Sequence, residues 1–304
     1  MYRFTLSTDS TCDLYRDFID GNDIRFVPLT FTVEKNGVLE DRKDAFVSYD
    51  QYVAFYNELR AGALSRTSML NYEAHYEHFR KMAEEGAEDV LHFTISSGLS
   101  PTKTVAAKAA ADVKKDFPRF NVLVVDPLTA TVGQGLLVRL ALEQRNAGKT
   151  AQEAYDYVNG QRLHIQHYIV ADDLNYLKRG GRISAVSAAI GGVLNVKPVI
   201  SFDNDGKLFV IDKVRGVRKA MSYIKAKMVK NPPSKLQKVC IVHTDNQEAA
   251  EELVQFVRET FSFEPLVSIM GPVIGSHVGP NAFAVGYLSD TLRNADVEAQ
   301  REQS

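Results

Sequence analysis

The run Asp89-Val90-Leu91-His92-Phe93-Thr94-Ile95, continued by Ser96-Ser97-Gly98-Leu99-Ser100-Pro101-Thr102, decides how this chain is read. Its first seven residues are strand-like. Residues 105–113 after it are rich in Ala, a strong helix former, and Pro101 stands where a helix's first turn tolerates it. A strand that ends in hydroxyls and Gly and feeds directly into a helix is where α/β proteins place ligands. The helix's unpaired N–H groups and dipole favour an anion there, and serine hydroxyls add donors. Taken alone, Ser96, Ser97 and Ser100 are equally well explained as helix caps.

Strands and helices alternate outward from this unit. Residues 2–7 read as a strand, followed by Thr8-Asp9-Ser10-Thr11-Cys12-Asp13, which can cap a helix starting near Leu14. Residues 24–33 are strand-like, and Asn36-Gly37 signals a hairpin. Ser48 or Asp50 caps a helix to about Arg60, Ser65-Arg66-Thr67-Ser68 reads as a polar break, and a helix follows over 71–85. Residues 121–125 form a short strand, and Gly133 and Gly135 permit close backbone approach in the next helix. This alternation predicts an α/β fold with a mostly parallel sheet in the first half.

The second half has another rhythm. Residues 196–202 and 208–214 flank Asp203-Asn204-Asp205-Gly206, which predicts a hairpin and a partly antiparallel sheet. A small-residue helix is expected over 183–194, an irregular loop over 271–280 and a frayed tail over 290–304. Two domains are expected, 1–162 and 163–304.

Composition narrows the function classes. Hydrophobic residues make up 45% and charged residues 24%, as in ordinary globular proteins, and the net charge of -2 gives no pointer to a nucleic-acid partner. No apolar run approaches the ~20 residues that span a bilayer, so any membrane contact would be transient. The N-terminal stretch lacks a signal peptide's apolar core, and two cysteines are too few for a disulfide scaffold. The expected setting is the reducing cytoplasm.

Thr8–Asp13, Thr67-Ser68, 96–100 and 275–279 are over-polar for simple connections. Brought together they would offer hydroxyls, one imidazole and a helix N-terminus, without Arg or Lys, which suits a single carboxylate. The G-x-x-x-x-G-K-[ST] loop needed for a triphosphate is absent. His75 and His78 share a helix face but lack an H-E-x-x-H pattern or cysteine partners, so they read as a solvated face and no metal is expected. His277, lone among glycines, is as a residue type more often structural than functional. Ser96 or Ser97 with His277 and Asp9 could make a hydrolase or acyltransferase, but Ser97-Gly98-Leu99-Ser100 is not the G-x-S-x-G elbow. A phosphotransfer subunit is the other alternative.

Seven segments, in order, resemble the DegV family of bacterial fatty-acid-binding proteins, which includes the FakB acyl carriers of fatty acid kinase. They are Thr8-Asp9-Ser10-Thr11, Val27-Pro28-Leu29, Thr67-Ser68, Ile95-Ser96-Ser97-x-Leu99-Ser100, Leu177-Lys178-Arg179-Gly180-Gly181-Arg182-Ile183, Lys197-Pro198 and Gly275-Ser276-His277-x-Gly279-Pro280. The resemblance implies a two-domain α/β fold that binds one long-chain fatty acid between its domains, with no other cofactor and no catalysis of its own. It implies that Thr67 and one of Ser96 and Ser97 bond the carboxylate, with Ser68, Ser276 and His277 in the same network. It implies that Lys178, Arg179 and, above all, Arg182 face a partner, the ATP-binding fatty acid kinase subunit. The chain departs from the family pattern at Met69-Leu70-Asn71, at Pro101 and at Val278.

Overall fold

The computed structural model describes residues 2–182 and 196–295. The helix expected over 183–194 lies outside the described residues, as does most of the expected frayed tail. The first half runs β1 (Thr5–Asp9), α1 (Arg16–Gly21), β2 (Ile24–Val27), β3 (Thr30–Lys35), β4 (Val38–Lys43), α2 (Tyr49–Arg60), β5 (Leu64–Ser68) and α3 (Tyr72–Glu84). It continues with β6 (Asp89–Phe93), α4 (Thr102–Asp116), β7 (Asn121–Val125), α5 (Val132–Asn146) and α6 (Ala151–Gln161). The second half runs β8 (Ile165–Val170), α7 (Asn175–Arg179), β9 (Val196–Phe202), β10 (Leu208–Arg215) and α8 (Val217–Lys230). It closes with β11 (Val239–His243), α9 (Gln247–Phe261), β12 (Leu266–Ile269), α10 (Pro272–Val278) and β13 (Phe283–Leu288).

Among the described residues the strands form three sheets, ordered β2-β1-β6-β7, β10-β9-β8-β13-β11-β12 and β4-β3-β5. The first is wholly parallel. The second is antiparallel except between β11 and β12. The chain is therefore a mixed α/β fold. It leaves the parallel sheet after β7 and enters the second sheet at β8, on either side of residue 162.

The α5 helix holds the two large sheets together. Leu136, Leu137, Leu140 and Ala141 are buried and apolar residues run nearly all round it, the pattern of an internal helix. It touches β1 on one side and β11 and β13 on the other. One core consequently joins Leu6 and Phe93 to Ile169, Val242 and Ala284. Gly135 is required by that packing, since a Cβ there would lie 2.7 Å from the Cys12 carbonyl oxygen.

Several local expectations are corrected. Residues 24–33 break at Pro28-Leu29 into β2 and β3, which belong to different sheets. The polar break at 65–68 is strand β5, paired with β3 at Phe31↔Thr67. The helix expected near Leu14 starts at Arg16, after a 3-10 turn capped by Asp9. The loop expected over 271–280 contains helix α10, with Pro272 in its first turn.

His75 and His78 do not form a solvated face. His75 lies with Phe79, Met82 and Ala83 on the buried stripe of α3, and its ring meets His92 of β6 edge-on at 5.6 Å. Ser7 Oγ lies 2.8 Å from His78 Nε2 and 2.9 Å from His92 Nδ1. The charge is also less even than its total. Residues 213–238 contain nine Lys and Arg and no Asp or Glu, with Lys213, Arg215, Arg218 and Lys219 exposed. Net charge alone therefore does not exclude a polyanionic partner.

Candidate functional site

A cavity with about 100 Å³ open to the centres of water-sized molecules lies where the carboxyl ends of the parallel strands meet the second sheet. Ile95, Ala130 and Thr131 come from the loops after β6 and β7; Ile169, Phe202 and Leu208 come from the second sheet. Met270, Val273 and Ile274 come from α10 and its approach. The lining is mostly Leu, Ile, Val, Phe, Met and Ala, and the polar groups on it are Thr67, Ser68, Ser100, Thr131, Arg182 and His277.

Alternation along β5 builds one side of the polar end. Ser65 and Thr67 point to the same face, as residues two apart in a strand must, and they meet the last turn of α10. Thr67 Oγ1 is 2.8 Å from His277 Nε2, and Ser65 Oγ is 2.6 Å from Ser276 Oγ. Burial, with the Arg182 charge second, holds the His277 imidazole down to about 4, so it is neutral at pH 7. Its Nδ1 is buried and has no hydrogen-bond partner among the described residues. Gly180 presses on that nitrogen, where a Cβ would sit only 2.0 Å away.

Arg182 lines the mouth rather than standing apart from it. It is exposed, and its guanidinium donates to the carbonyls of Gly180 at 2.6 Å and Leu99 at 3.4 Å. No ion pair holds it among the described residues. The expectation of a site without Arg or Lys is thus corrected: one guanidinium lies beside the imidazole. In α7, Leu177 turns into the cavity while Lys178 and Arg179 face solvent, Arg179 over the Tyr176 ring at 4.4 Å.

The site residues expected from sequence divide three ways. Thr67, Ser68, His277 and Arg182 line the cavity together. Ser276 stands behind the wall, bonded to Ser65 and to the Pro272 carbonyl. Ser96 and Ser97 do not line it. Ser96 is buried and donates to the Gly206 carbonyl at 2.8 Å, and Ser97 is exposed with its N–H on Asp126 at 3.2 Å. The loop instead brings Leu99 and Ser100 to the cavity, and Ser100 Oγ lies 2.8 Å from Thr102 Oγ1. Ser100 was in the quoted stretch but nothing local distinguishes it from its neighbours.

The structure does not bring Ser96 or Ser97 together with His277 and Asp9 as a hydrolase triad. Asp9 is buried and holds Thr11, Gln134 and the Ile95 N–H, while His277 bonds Thr67. No serine base pair with an orienting acid results. Among the described residues there is also no group of three or more His, Cys, Asp or Glu that could hold a metal ion, and no helix is long and apolar enough to cross a membrane.

Comparison with known proteins agrees with this layout. The model of the DegV family, described as uncharacterised proteins, matches residues 3–290. The chain belongs to the DegV family. A DegV domain-containing protein of Clostridium perfringens is 32% identical over 295 residues, covering 96% of this DegV chain and 99% of its own. The solved structure titled fatty acid binding of a DegV family protein from Thermus thermophilus has a TM-score of 0.80 at 29% identity, covering 94% of this chain and 99% of its own. The Streptococcus pneumoniae fatty acid kinase B3 protein, solved loaded with linoleic acid, shares the DegV fold at a TM-score of 0.79 and 20% identity, over 94% and 99% of the two chains.

Proposed function

We propose that this chain binds one long-chain fatty acid in the cavity and presents its carboxylate to a separate kinase for acyl-phosphate formation. The observation that carries the proposal is the cavity's make-up: an apolar lining with Thr67, His277, Ser100 and Arg182 at its polar rim. Burying a sixteen-carbon tail is worth roughly 0.8 kcal/mol per methylene, about 12 kcal/mol gross before ordering costs. The tail therefore dominates affinity, and the polar groups set which end faces out. Neutral hydroxyls position a carboxylate without a strong bidentate pair, and the exposed Arg182 adds charge at the mouth. The solved relative from Thermus thermophilus supports the ligand class, and the fold shared with the kinase carrier supports the partner class.

In this proposal residues 1–162 supply head-group loops with Thr67 and Ser100 and part of the apolar wall, while residues 163–304 supply most of the apolar wall, His277 at the polar rim and the partner surface. Lys178, Arg179 and Arg182 meet the kinase, in the cytoplasm, and the chain performs no chemistry itself. The test is a phosphorylation assay with palmitate, ATP, magnesium and a bacterial fatty acid kinase. Acyl phosphate should form only when the kinase is present. Arg182→Ala should retain palmitate yet slow its phosphorylation at least tenfold. Turnover of ATP, acyl esters or acyl thioesters by the chain alone, or an Arg182→Ala variant as good as wild type, would contradict the proposal.

A further inference from the structure

We infer that Ser96 is a positioning residue, which pins the head-group loop to the β9–β10 turn and acts on a bound ligand through Leu99, Ser100 and Leu208 rather than by touching its carboxylate. The inference rests on the fatty-acid reading above for its ligand, and on the seam between two segments for its geometry.

The cavity rim is made of chain segments far apart in sequence. One is the loop after β6, which supplies Leu99 and Ser100; the other is the hairpin, with Phe202 before its turn and Leu208 after it. Among the described residues, the side-chain bond recorded across this seam is Ser96 Oγ to the Gly206 carbonyl, 2.8 Å and wholly buried. The same oxygen accepts the Gly98 N–H at 3.1 Å, and the Ser96 carbonyl accepts the N–H groups of Leu99 and Ser100. Ser96 therefore organises the loop on one side and grips the turn on the other.

Backbone contact makes the seam tight. A Cβ on Gly98 would lie 2.5 Å from both the carbonyl carbon and oxygen of Gly206, which are backbone atoms that cannot swing aside. Gly206 itself has φ +75, and a Cβ there would lie 2.1 Å from Ser96 Oγ. Two glycines and one serine thus form a backbone-to-backbone joint that any larger residue would wedge open. The hydroxyl is fully committed to it. Rotating it toward a carboxylate would leave the half-buried Gly98 N–H and the buried Gly206 carbonyl without their partner.

The test separates positioning from contact by varying the ligand with the protein. Dissociation constants for palmitate and for hexadecanol, which share a tail and differ in head-group charge, are measured for wild type, Ser96→Ala and Gly98→Ala. A positioning role predicts that Ser96→Ala weakens both ligands by the same factor, about threefold to tenfold, and that Gly98→Ala weakens both at least as much. The ratio of the two constants within one variant does not depend on how much of it folds. A loss confined to palmitate would assign Ser96 to the carboxylate, where a charged acceptor makes the stronger bond, and would overturn the inference. Hydrogen exchange without ligand tests the joint itself. Ser96→Ala should speed exchange in 97–100 and in 203–208 together, and unchanged exchange in either segment would overturn the inference. Failure of wild type to bind either lipid would count against the fatty-acid reading and leave the exchange result to decide the joint.

Discussion

At the scale of single residues the site depends on one imidazole held in place from two sides. Thr67 bonds His277 Nε2, and Gly180 fills the space against Nδ1. Thr67→Val keeps the shape and removes the hydroxyl, so palmitate affinity should fall by roughly 1–2 kcal/mol, read by displacement of a fluorescent fatty acid. An unchanged affinity would place the head group elsewhere. Gly180 has φ -71, which any residue adopts, so only space forbids a side chain there. Gly180→Ala should cost about 1–3 kcal/mol in urea denaturation and weaken palmitate binding with it, because the imidazole must move. Full stability with tight binding would mean that His277 does not hold the head-group end. That Thr67, Ser68 and His277 share one cavity was legible from their polar setting and family spacing. Which serine of the 96–100 loop reaches the cavity was not, because the loop's shape is set by Gly206, 110 residues beyond Ser96.

At the scale of elements, α3 carries a consequence for pH. Burial holds His75 down to about 4 and His78 to about 3, and lowers buried His92 well below its ordinary value. An unfolded chain protonates these rings near 6.5. Between that value and their folded values, the unfolded state binds protons that the folded state refuses, so their contribution to stability falls as pH falls from about 6.5 toward 4. His75 alone should cost about 2 kcal/mol between pH 7 and pH 5. Asp13 and Asp44 act in the opposite sense, since burial raises both, Asp44 to about 7. Comparing wild type with His75→Phe isolates the imidazole. The variant's urea midpoint should drop less between pH 7 and pH 5, and equal drops would remove His75 from the account.

The same element scale shows why some elements were legible and others not. β6 and α4 were plain from an apolar run and an Ala-rich helix with Pro at its start. Helix α10 was hidden because Gly275 and the Gly271 and Gly279 at its ends argue against a helix by propensity alone. Its tight packing favours the small residue, since a Cβ on Gly275 would lie 2.5 Å from the Tyr56 hydroxyl. The stripe His75-Phe79-Met82 on α3 had helical spacing, but an imidazole does not announce which way it faces.

At the scale of the whole molecule, the two sheet types were legible from the change in rhythm near residue 162. The joint between them was not. It depends on α5, whose apolar residues run all round and whose two faces serve different sheets. That shared layer brings the end of β6 and the second sheet to opposite walls of one cavity. In the proposed reading, one fatty acid fills this cavity. Native mass spectrometry of the purified protein measures it directly. The spectrum should show a mass increment of about 250–300 daltons per chain, as expected for one lipid-sized pocket ligand, and it should vanish on delipidation and return with palmitate or oleate. A protein that carries no such mass and takes up neither acid would contradict the account.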